Sequence, residues 1–167
     1  PAQLRRWIDS LLAATAGKLP GAGAGGPTEP PADPALTDAR DKLDAGDFDG
    51  AAAAYQALLD ADPQHAEAKG ALRQITFLQR ASALAPDAVS AADAAPEDIE
   101  AAFAAADVQV LNHDPAAAFD RLTGLVKRTA GDDRTRVRTR LIELFELFDP
   151  ADPDVIAGRR NLANALY

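Results

Sequence analysis

Cysteine and methionine are absent from the 167 residues, histidine occurs twice, and aromatic side chains make up only 5%. Without cysteine there is no disulfide framework, no thiol nucleophile and no cysteine-based metal centre within this sequence. His65 and His113 are far apart in the chain, so a zinc site would need several carboxylates to complete it. No apolar run approaches the length of a membrane span, and no charged start followed by a small-residue cleavage site is present. These absences predict a soluble, cytoplasmic chain with no membrane contact. The lack of methionine in a sequence that begins at Pro1 predicts a further segment upstream.

Basic charge is also scarce, with 17 Lys and Arg against 26 Asp and Glu and a net charge of −9. Such a surface repels phosphate backbones, which argues against nucleic acid as a general partner. Hydrophobic residues reach 47%, but alanine supplies much of this. A core of that kind needs closely approaching helices rather than bulky side chains.

Periodicity supports the same picture. Leu4, Trp7, Ile8 and Leu11 fall at spacings of three and four, an amphipathic stripe too short to be stable alone. Residues 16–34 are rich in glycine and proline and read as a linker. Beyond them the pattern predicts helices near 35–45, 48–61, 66–84, 97–111, 115–129, 133–148 and 154–166, with a short, weak one within 87–94. Asp33-Pro34, Asp114-Pro115 and Asp152-Pro153 each offer an Asp cap with Pro at the first helical position. No segment shows strand alternation.

The passage Ala45-Gly46-Asp47-Phe48, followed by Ala51, Tyr55 and Asp62-Pro63, assigns a steric task to each residue type. Gly46 makes the tight turn, Phe48 seals it, Ala51 permits close helix crossing, Tyr55 packs between helices and Pro63 ends the unit. These spacings resemble the tetratricopeptide repeat, a helix-turn-helix unit of about 34 residues. Lys42 and Asp38 stand where that motif has large apolar residues, with Leu36 and Leu43 adjacent. A looser copy runs through Leu111, Asp114, Ala118 and Leu122. Ala51 and Ala118 are 67 positions apart, about two repeat lengths. The expected fold is all-α, a tetratricopeptide-like solenoid of roughly four degenerate repeats over 35–167.

The order of parts is more specific. The helix Leu4-Arg5-Arg6-Trp7-Ile8-Asp9-Ser10-Leu11-Leu12 resembles the last helix of a thioredoxin domain, which makes 1–15 its remnant. The ending Arg159-Arg160-Asn161-Leu162-Ala163-Asn164-Ala165-Leu166-Tyr167 completes a likeness to the YbbN family of bacterial thioredoxin-like co-chaperones, or chaperedoxins. That resemblance implies a module that holds unfolding clients and docks to a chaperonin of the GroEL type, with any redox motif in the upstream thioredoxin-like domain. A scaffold that joins or oligomerises that domain is the alternative.

Candidate partner-binding residues fall in two places. Between Arg121 and Arg140 there are seven basic residues, Arg134, Arg136, Arg138 and Arg140 among them, and only two acids, Asp132 and Asp133. This run reads either as a patch for an acidic partner or as a solvated face with Arg140 paired to Glu143 or Glu146. In the last helix Ile156, Ala163 and Tyr167 form a second apolar edge beside Arg159 and Arg160, suited to docking or to capping the solenoid. A calcium loop across Asp44 to Gly50 fails, because Ala45 and Gln56 would occupy its first and last ligand positions. Without a Ser-His-Asp set or a phosphate loop, the chain is expected to have no catalytic site, metal or cofactor.

Overall fold

Acidic caps place most of the helices. In the computed structural model, which describes residues 33–167, Asp33 accepts a bond from Ala35 N–H at 2.9 Å and starts α1, Pro34–Asp44. Asp47 does the same for Gly50 N–H at 2.9 Å and starts α2, Phe48–Ala61. His65 is half-buried and caps α3, Ala66–Ser82, by accepting from Ala68 N–H at 3.2 Å on Nδ1. After the short α4, Ala88–Ala94, Asp98 caps α5, Ile99–Leu111, through the Glu100 and Ala101 amides. Asp114 and Asp152, each before a proline, cap α6, Pro115–Arg128, and α8, Pro153–Leu166. Only α4 and α7, Gly131–Phe145, lack a side-chain cap bond. These side-chain acceptors meet amides that the helix itself leaves unpaired.

Two turns show the repeat directly. Gly46 takes φ +79° between α1 and α2, and Asp47 N–H then bonds Lys42 C=O at 2.9 Å. The corresponding turn between α5 and α6 uses His113 at φ +64°, with Asp114 N–H on Gln109 C=O at 2.9 Å. Glycine adopts this left-handed geometry without the Cβ clash that histidine must tolerate. The second copy keeps the turn while losing the residue best suited to it.

Among the described residues there are eight helices and no strand, the all-α solenoid expected from the repeat pattern. Helices pair as α1/α2, α2/α3, α4/α5, α5/α6 and α6/α7, and α8 lies against α6. The helices α3, α5 and α7 follow one another along one side, each seated beside the previous member of that row. Ala39, Ala51, Tyr55, Leu58, Ala68 and Ile75 bury one cluster, with Leu36, Leu43 and Phe48 packed against it. Leu36 and Leu43 thus supply the apolar contacts that Asp38 and Lys42 cannot. In the second half Phe119 meets Phe145 edge-on at 4.7 Å and Phe148 at 5.8 Å.

Some boundaries differ from the sequence reading. The third helix ends at Ser82 rather than near 84, and the 97–111 helix begins at Ile99 because Asp98 is its cap. The 133–148 helix starts two residues early, at Gly131, and stops at Phe145. The Leu4, Trp7, Ile8 and Leu11 stripe, the thioredoxin-helix remnant and residues 16–32 of the linker lie outside the described residues.

Candidate functional site

The concave surfaces of the solenoid include two grooves between helices. The larger, about 470 Å³, runs between α3 and α7. Leu59, Leu72, Phe77 and Leu147 form its apolar part. Arg73, from α3, and Glu146, just after α7, close an ion pair at 3.1 Å beside it, with each side chain close to half exposed.

Arg80, which also lines this groove, makes a two-pronged contact with Asp107 of α5, Nε to Oδ2 at 2.6 Å and Nη2 to Oδ1 at 2.9 Å. The Asp107 side chain is 2% exposed and that of Arg80 31%. The Arg80 guanidinium also lies 5.7 Å from the Phe77 ring centroid. A planar fork of donors matches both carboxylate oxygens, so the pair sets the register of α3 against α5 as well as neutralising a buried charge. Sequence reasoning missed it.

The second surface, about 410 Å³, lies between α7 and α8. Ile142, Phe145, Leu162 and Leu166 make its apolar floor, and Arg138 and Arg159 stand among its lining residues. Tyr167 and Ala163 also line it, whereas Ile156 stands outside, 54% exposed on the same helix.

The structure does not bring the basic run to one face. Arg134 donates to Thr129 C=O at 2.7 Å, and Arg136 pairs with Glu100 of α5. Arg140 pairs with Glu143 at 3.5 Å and covers the Phe103 ring at 4.9 Å. Arg121 reaches Asp93 of α4 at 2.8 Å, and Arg128 reaches Glu97 at 3.4 Å. Most of the run therefore ties α6 and α7 to neighbouring segments. Arg138 belongs instead with Arg159 at the α7–α8 groove. Arg160 is exposed on α8.

Tyr55, between α1, α2 and α3, has its phenol pushed above the usual tyrosine range, first by burial and then by the nearby Glu67 carboxylate. Glu67 is held by Arg40, and this hydrogen bond raises the guanidinium above its ordinary value. His113 is exposed. Among the described residues no three His, Asp or Glu side chains gather as a metal-binding group, and no helix is long and apolar enough to cross a membrane.

A model of the tetratricopeptide repeat matches residues 79–167, just over half of the sequence. The chain belongs to the tetratricopeptide-repeat family. The match covers the looser copy around Ala118 and begins after the Gly46 to Pro63 passage, which carries the same turn geometry in the structure. Uncharacterised proteins of Mycobacterium tuberculosis (strain H37Rv) and Mycobacterium bovis are each 67% identical over 165 residues, covering 99% of this chain and 54% of their own length. The chain thus spans about half the length of the curated relatives it matches. No solved structure matches it. As a tetratricopeptide-repeat domain it is a protein–protein interaction module, and the two grooves are its candidate contact surfaces.

Proposed function

We propose that the α3–α7 groove holds exposed apolar segments of unfolding client proteins, and that the domain serves a bacterial thioredoxin-like co-chaperone of the cytoplasm. The observation that carries this reading is the groove's make-up. Its floor is apolar, from Leu59, Leu72, Phe77 and Leu147, and its edges hold both signs of charge in Arg73 and Glu146. A surface of that composition favours apolar sequence without demanding one charge pattern, as a holder of varied clients requires. Transfer to a GroEL-type chaperonin, and any redox chemistry in an upstream thioredoxin-like domain, belong to the same proposal. On this reading the repeats bind other proteins but catalyse no reaction.

The test is suppression of aggregation. Purified protein at a stoichiometric ratio is expected to slow light scattering from a heat-denatured client, and Leu72→Asp, at a half-buried groove position, is expected to abolish that protection. A pull-down with a purified GroEL-type chaperonin tests the transfer. Unimpeded aggregation together with no chaperonin binding would sink the reading. A concentration-independent oligomer with no client binding would instead favour a scaffold role.

A further inference from the structure

The α7–α8 groove lies where the solenoid would receive its next helix. Within the repeat, α5 packs on both α3 and α4, and α7 packs on both α5 and α6. Each helix of that row nests between the two helices of the preceding pair. The same step applied once more places a helix between α7 and α8, and the 410 Å³ groove floored by Ile142, Phe145, Leu162 and Leu166 occupies that position.

The charge of the groove identifies what fits. Arg138 makes no ion pair among the described residues, and Arg159 faces only the Phe145 ring, at 5.9 Å. The one acid lining the groove, Glu146, is held by Arg73 at 3.1 Å. Two uncompensated arginines therefore flank an apolar floor in a protein whose net charge is −9.

We propose that this groove receives an acidic amphipathic helix from a partner protein, seated between α7 and α8 as the next helix of the solenoid. Apolar residues of the helix at spacings of three and four would meet the floor, while flanking Asp or Glu side chains would meet Arg138 and Arg159. A second copy does not fit. A two-fold contact would set these arginines against their own counterparts. A head-to-tail contact would offer the outer face of α1, where Thr37, Asp38, Asp41 and Asp44 are exposed and, among the described residues of that face, no large apolar side chain is exposed to fill the groove. This proposal is independent of client holding, because it uses a different surface.

The experiment measures fluorescence anisotropy of labelled synthetic helices of about 18 residues, or five turns. One carries Leu on one face and Glu on the other, and the control carries Lys in place of Glu. The acidic peptide is expected to bind saturably and the Lys peptide much more weakly. Salt raised from about 0.05 to about 0.5 M should weaken the acidic complex. Reversing both charges, Arg138→Glu with Arg159→Glu, is expected to cost roughly tenfold or more in Kd while leaving the circular dichroism melt unchanged. Ala163→Trp, at an exposed position, should block the seat without unfolding the domain, and Leu72→Asp in the other groove should leave peptide binding intact. Equal binding of the two peptides, no binding of the acidic one, or indifference to the arginine reversals would overturn the proposal. Self-association in light scattering that is lost in Arg159→Glu would also overturn it, by naming a second copy as the occupant.

Discussion

Replacing Asp107 tests the joint on which the groove depends. Of the helix pairs that join α1–α3 to α4–α8, α3 with α5 is the substantial one, and the Arg80–Asp107 fork lies within it. Asp107→Leu would leave the guanidinium facing apolar surface with no acceptor. Breaking a fully buried pair costs about 3–5 kcal/mol. Arg80 is 31% exposed and can turn toward the groove, so we expect a smaller cost, about 2–4 kcal/mol. Asp107→Asn keeps the shape and one acceptor, and should cost about 1.5–3 kcal/mol. The double variant Arg80→Leu with Asp107→Leu should return to within about 1 kcal/mol of the parent, since it removes both desolvation penalties together. Urea unfolding followed by far-ultraviolet circular dichroism reads these values, with the single variants shifted by about 1–2 M at an m-value near 2 kcal/mol/M. Hydrogen exchange should show α1–α3 opening more readily than α5 and α6 in the single variants. If Asp107→Leu unfolds at the parent's urea concentration, or the double variant is no better than the single, the pair does not hold the joint.

Three further outcomes are expected. Gly158→Ala would drive a Cβ to 2.6 Å from Phe145 Cε1 and 3.2 Å from Phe119 Cδ2. It should destabilise by about 1–3 kcal/mol, whereas Gly70→Ala in α3, with nothing within 4 Å, should stabilise by up to about 1 kcal/mol, and paired thermal melts decide both signs. Because burial raises the Tyr55 phenol in the folded state, its contribution is complete below the unfolded value of about 10 and is lost as pH rises through the folded value. Stability measured between about pH 9 and 11 should therefore fall more steeply in the parent than in Tyr55→Phe. Thr123 has a buried hydroxyl with no hydrogen-bond partner, so Thr123→Val should raise stability by about 1 kcal/mol in a urea titration.

Local chemistry made the helices legible. Asp before Pro gives cap and first residue together, and Asp33, Asp114 and Asp152 cap in the structure as that pairing implies. Ala51 and Tyr55, read as close-packing residues of the turn-helix unit, are both buried where α1, α2 and α3 meet. Pairing across the solenoid was harder to read, because it depends on curvature that no single repeat encodes. Arg140–Glu143 lies within one helix and was foreseen, whereas Arg121–Asp93 and Arg136–Glu100 span about 30 positions or more and were not. Asp107 did leave a trace. It is the sole charged residue from Ala101 to Leu111, in a helix apolar on nearly every side, and a lone charge there calls for a buried partner.

The degenerate second repeat accounts for both the ion pair and the larger groove. A helix with apolar residues on two faces, as α3 has in Ile75 and Leu78 on one stripe and Phe77 and Ala81 on the other, must be covered on two sides. In an ordinary repeat the second helix of the pair would supply one of those sides. Here that helix is α4, seven residues long with Val89 as its one bulky side chain, and it packs on α5 rather than on α3. The face of α3 left over meets α5 through Arg80 and Asp107 and lines the larger groove from Leu72 to Phe77. A long apolar helix in place of α4 would be expected to cover that face and to draw α3 away from Asp107. The weakness of α4 is thus the physical origin of the groove, and if that groove holds clients as proposed, lengthening α4 should increase stability while reducing aggregation suppression.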